Sequence, residues 1–89
     1  MKFASSPKGE MCLKTIIREL RTAAKMTQQQ LADLVHVSGR TIISIEKEQY
    51  NPSLMLAYRI AQVFGVTVEE LCCLKENKEI EDQQYENLP

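Results

Sequence analysis

Ser38, Arg40, Thr41 and Ser44 gather three hydroxyls and one guanidinium in a short run, "SGRTIIS", that also carries two isoleucines. Hydroxyls and guanidinium are donors suited to phosphate oxygens and to the acceptors on base edges, and an arginine can grip guanine through two parallel hydrogen bonds. Little else in the chain is arranged for reaction chemistry. The one histidine, His36, has no clustered partner, and neither a nucleophile–base pair nor a phosphate-cradling glycine loop is present. The run carries Ile42 and Ile43, and Ile45 follows it, so two readings stand open. It is a helix that reads nucleic acid, or a core helix that follows a serine.

The elements that must position these groups are legible as helices. Leu13, Ile16, Ile17 and Leu20 fall at i, i+3, i+4 and i+7, which predicts a first helix from Leu13 to near Lys25. Thr27 caps a second helix, Gln30 completes its capping box, and Met26 with Leu31 forms a hydrophobic staple. Ser38 opens a third helix in the same way, stapled by Val37 and Ile42. Two short helices joined by so tight a turn make a helix-turn-helix unit. Ile42 and Ile45, three apart, would face the core and leave Gly39, Arg40, Thr41 and Ser44 pointing away from it. Pro52 and Ser53 then start a fourth helix with Leu54, Ala57, Ile60, Ala61 and Phe64 on one face, stopped by Gly65. Thr67 and Glu70 form a second capping box, with Val66 and Leu71 as staple, for a short fifth helix through Leu74. No segment has strand period, so the fold class is all-α.

Eighty-nine residues suit one small domain, and no apolar run is long enough to span a membrane. The expected organisation is a polar arm over 1–11, a helical domain over 12–74 and an acidic tail over 75–89. The formal net charge of −1 is unevenly spread. Residues 1–74 hold nine basic against seven acidic side chains, whereas the tail holds two against five. Charge therefore neither requires nor excludes a nucleic-acid partner. Cys12 and the adjacent Cys72 and Cys73 make an odd set without a disulfide framework, which reads as buried thiols in a reducing cytoplasm.

"LR" at 20–21, "MTQ" at 26–28, "LA" at 31–32, "VS" at 37–38, "TI" at 41–42, "IE" at 45–46, "YNPS" at 50–53 and "FGVTVEEL" at 64–71 occur in a telling order and spacing. Over roughly residues 13–74 the chain resembles the Cro/C1-type (XRE) helix-turn-helix family of bacterial and phage repressors. The resemblance implies a compact five-helix, lambda-repressor-like DNA-binding domain followed by a polar tail. It implies base reading at Gly39, Arg40 and Ser44, with Ser38 and Thr41 beside them. At the start of helix 2 it places Thr27 and Gln28 at the DNA, Gln28 both touching the backbone and bracing the recognition helix. It places Lys47, Tyr50 and Asn51 in a loop that touches phosphates, and it pairs Arg21 with Glu46 in a partly buried, structural ion pair. Three positions depart from the family pattern. His36 stands in a turn usually held by glycine, Gly39 where a polar or basic side chain is common, and Ile43 where serine is typical.

The expected function is a sequence-specific, double-stranded DNA-binding transcriptional regulator, a repressor that sets the helix after Ser38 into the major groove of a near-palindromic operator as a homodimer. The alternative is an antitoxin or anti-regulator that grips a protein partner through the same fold. Neither reading needs a catalytic residue, a cofactor or a metal. For the dimer surface, Leu71, Cys72 and Leu74 are candidates, unless they close the monomer core instead. The tail reads as a solvated extension, or as a further amphipathic turn carrying Ile80 and Tyr85 across a dimer.

Overall fold

Four hydroxyl side chains set where helices begin. In the computed structural model, which describes residues 12–86 of the chain, Thr27, Ser38, Ser53 and Thr67 accept from the backbone amides of Gln30, Thr41, Leu56 and Glu70. They open α2 (Gln28–Leu34), α3 (Gly39–Glu46), α4 (Leu54–Phe64) and α5 (Val68–Leu71). Both capping boxes are complete, since Gln30 and Glu70 reach back to the amides of Thr27 and Thr67. Each such cap contributes about 1 kcal/mol by satisfying an amide that the helix leaves unpaired. The arm expected over 1–11 lies outside the described residues.

The first helix is shorter than its periodicity predicts. α1 spans Ile17–Ala23, and residues 12–15 are not helical. Long-range acceptors instead tie the amides of this segment to other elements. Leu13 N–H donates to Asn51 Oδ1 (2.7 Å), Lys14 N–H to Asn77 Oδ1 (3.3 Å) and Ile16 N–H to the Leu71 carbonyl (3.0 Å).

Five helices end on a residue in the left-handed region: Lys25 (φ 57°), His36 (65°), Glu48 (60°), Gly65 (69°) and Cys73 (49°). After α1, α2 and α3 the next amide closes the helix, as Met26, Val37 and Gln49 donate to the carbonyls of Arg21, Ala32 and Ser44. Glycine supplies this conformation after α4 alone; elsewhere an L side chain is held there at about 1–2 kcal/mol. His36 is exposed, so His36→Gly removes the strain without losing packing. The expected result is about 0.5–1 kcal/mol of added stability, after glycine's extra chain entropy is counted. Thermal unfolding would show it as a rise of a few degrees; an unchanged or lower Tm would contradict the strain.

The core joins all five of these helices. Ile17 of α1, Leu31 of α2, Ile42 and Ile45 of α3, Ile60 of α4, and Leu71 and Cys72 at the end of α5 are fully enclosed. Ala32, Ala57 and Ala61 are buried among them, and such small side chains let backbones approach. Leu71 and Cys72 thus close the monomer core and are removed as dimer contacts, whereas Leu74 stays 39% exposed. No helix among the described residues is long and apolar enough to cross a membrane.

A sixth helix, α6 (Leu74–Glu86), corrects the five-helix count, and most of its described side chains are exposed. Asn77 fixes it. This buried amide donates from Nδ2 to the carbonyls of Cys72 (2.7 Å), Cys73 (3.0 Å) and Lys14 (3.1 Å), and its Oδ1 accepts the Lys14 amide. One side chain thereby ends α5, begins α6 and holds the segment before α1. Asn77→Ala removes the side-chain donor to the Cys72 and Lys14 carbonyls, while the Cys73 carbonyl keeps the backbone amide of residue 77, and should cost about 1–2 kcal/mol. Hydrogen exchange would show faster exchange confined to α6 and residues 13–16; uniform protection would contradict the clamp. The side chain of Tyr85 lies outside the described residues.

Candidate nucleic-acid interface

Helix α3 is rotated by two side chains. Ile42 and Ile45 are buried, and the opposite side carries Arg40, exposed, with Gly39, Thr41, Ile43 and Ser44 half-buried around it. Among the described residues Arg40 makes no ion pair. The Ser38 hydroxyl accepts the Thr41 amide (3.3 Å) and lies 3.1 Å from the Thr41 hydroxyl, so these two groups order each other at the start of the helix. Thr27 likewise uses its hydroxyl to cap α2. Lys47 and Tyr50 are exposed just beyond α3. Asn51 spends its carbonyl oxygen on the Leu13 amide, a tie to the segment before α1.

Behind α3 sits a buried carboxylate with four donors. Glu46, whose side chain is 0% exposed, accepts from Arg21 Nε (2.8 Å) and Nη2 (3.1 Å) and from Gln28 Nε2 (3.0 Å). Arg18 Nε lies 3.5 Å from the same carboxylate. Arg21 also donates to the Met26 carbonyl (2.8 Å), so its guanidinium bridges the α1–α2 turn to the end of α3. Burial pushes the Glu46 carboxyl up, but the hydrogen bonds from Arg21 and Gln28, with the charge of Arg21 and the contact of Arg18, hold it below the usual carboxylate range. The hydrogen bond to Glu46 in turn raises the Arg21 guanidinium. Gln28 therefore braces α3 directly, with one amide hydrogen committed inward and one left for an outside acceptor.

Two participants escape a reading along the chain. Arg18 joins Glu46 across more than two helices' worth of sequence. Gln29 meets Gly39: a Cβ built on Gly39 would stand 2.6 Å from Gln29 Oε1, while Gln29 Nε2 donates to Asp33 Oδ1 (2.8 Å). No signal in the linear pattern marks either one. Among the described residues no group of acidic, histidine or cysteine side chains is placed to hold a metal. On another face a groove of about 270 Å³ is lined by Cys12, Leu13, Leu74, Asn77, Lys78 and Glu81.

The helix-turn-helix family model matches residues 17–71, from the first residue of α1 to the last of α5. The chain belongs to the Cro/C1-type (XRE) helix-turn-helix family. Among relatives of this helix-turn-helix protein, an uncharacterized HTH-type transcriptional regulator of Archaeoglobus fulgidus is 51% identical over 59 residues, covering 66% of this chain and 84% of the relative. The immunity repressor protein of Bacillus phage phi105 is 33% identical over 70 residues, covering 79% of this chain and 47% of the relative. Among solved structures, the restriction-modification controller protein C.AhdI from Aeromonas hydrophila superposes with a TM-score of 0.57 at 31% identity, covering 61% of this chain and 82% of that one. The segment matched by the family model thus ends before α6.

Proposed function

We propose that this protein is a sequence-specific, double-stranded DNA-binding transcriptional regulator, acting as a repressor, with α3 in the major groove. One observation carries the reading: α3 is anchored by Ile42 and Ile45 so that Arg40 stands exposed, without an ion pair among the described residues, next to the ordered hydroxyls of Ser38 and Thr41. An exposed, uncommitted guanidinium at the start of a recognition helix suits guanine's two major-groove acceptors. Gln28, Lys47 and Tyr50 flank it and supply the sequence-independent contacts to phosphate. The relatives named as transcriptional regulators and as an immunity repressor support the assignment.

The protein works as a homodimer in this reading. One module of this size makes few phosphate contacts, and two recognition helices spaced by one DNA turn, about 34 Å, match a near-palindromic site. The test is selection from random duplexes followed by a salt titration of the winning sequence. Enrichment of a half-site, with affinity falling linearly in log salt, is the expected outcome. No enrichment at low salt would refute it.

A further inference from the structure

We propose that Gln29, the second residue of α2, takes the base-reading place left vacant by Gly39 at the start of α3. The inference rests on the DNA-binding reading above. Gly39 is the first residue of α3, and the space its side chain would fill holds the Gln29 carbonyl oxygen, 2.6 Å from where a Cβ would stand. The amide's orientation is chemically determined. A carboxylate oxygen accepts, so the group at 2.8 Å from Asp33 Oδ1 is the Gln29 nitrogen, and the oxygen is the end laid against Gly39. One N–H is thus spent on Asp33. What remains is one N–H and one carbonyl, the pair that an amide uses to grip adenine through its N6 amino group and N7. Gln29 is an exposed residue, so its side chain lies at the surface beside the start of α3. A glycine at 39 makes α3 look poor in reading groups, yet its missing side chain is what admits one from the neighbouring helix.

The test compares the intact wild-type chain with Gln29→Ala, Gly39→Ala, their double variant and Arg40→Ala in the same selection from random duplexes. Wild type is expected to select an adenine beside the position read by Arg40. Gln29→Ala should lose about tenfold or more of the preference for that adenine, with the other positions and the thermal midpoint unchanged. Gly39→Ala displaces the Gln29 amide and should lose the same preference, and the double variant should lose no more than either single one. Both substitutions bring alanine into a helix, so folding is not put at risk. If Arg40→Ala alters the selected site but Gln29→Ala keeps every wild-type preference, Gln29 is not a reader and the broader reading stands. Selection of a cytosine at the Gln29-dependent position would overturn the adenine assignment. Should wild type select no sequence at all, the DNA-binding reading fails and this inference falls with it.

Discussion

Arg40→Ala is expected to remove selection of the guanine it reads while leaving the fold intact. The side chain is exposed and has no ion pair among the described residues, so its loss opens no cavity and strands no charge. A bidentate arginine–guanine contact discriminates by about 1–3 kcal/mol, and the dimer proposed above would lose it at both half-sites, roughly 2–6 kcal/mol in all. Affinity for the selected duplex should therefore fall at least about thirtyfold. Affinity for a scrambled duplex should fall far less. Fluorescence anisotropy on both duplexes at one salt concentration separates base reading from phosphate binding. Equal losses on the two, or full recovery in Arg40→Lys, would mean that only charge is used, because lysine keeps the charge but cannot present the planar fork.

Glu46→Ala is expected to cost about 3–5 kcal/mol, most of the margin of a domain this small. The loss comes less from the missing attraction than from what is stranded: the Arg21 guanidinium, whose side chain is only 15% exposed, and the inward amide of Gln28. Urea unfolding of Glu46→Ala should show a midpoint far below wild type, and Glu46→Gln should also be destabilised because it keeps the shape but not the charge. A wild-type midpoint in Glu46→Ala would contradict the role of the pair. The same carboxylate predicts an acid limb. Its folded pKa is lowered, so the stability it contributes is complete above the usual carboxylate range and is lost as pH falls through the lowered folded value. In Glu46→Gln this part of the pH dependence should flatten.

The helix starts were legible because capping is local. Thr27, Ser38, Ser53 and Thr67 each bond an amide three residues on, a distance the linear pattern displays. Helix ends were harder to read. Lys25, His36, Glu48 and Cys73 do the turning that glycine does after α4, and their types do not announce a left-handed backbone. The beginning of α1 and the anchoring of α6 were missed for one reason. Leu13 has the right period for a helix, but its segment is tied to distant side chains such as Asn51, and Asn77 looks like a polar tail residue until the Lys14 backbone reaches it from 63 positions away.

At the candidate interface, the spacing of Ile42 and Ile45 by itself implied which side of α3 faces outward, and the structure has both buried. What the spacing did not contain is which polar groups are already spoken for. Gln28 turns one hydrogen to Glu46, Asn51 gives its oxygen to Leu13, and Gln29 lies in the gap over Gly39.

The sequence alone therefore determined the all-α class, the points where four helices begin and the rotation of α3, since each depends on residues within about one helical turn of one another. Tertiary structure decided the extent of α1, the anchoring of α6 through Asn77, the burial of Leu71 and Cys72, and the commitments of the amides around α3. Those depend on donors and acceptors brought together across the chain, and a buried polar group is satisfied by whatever lies nearest in space, not in sequence.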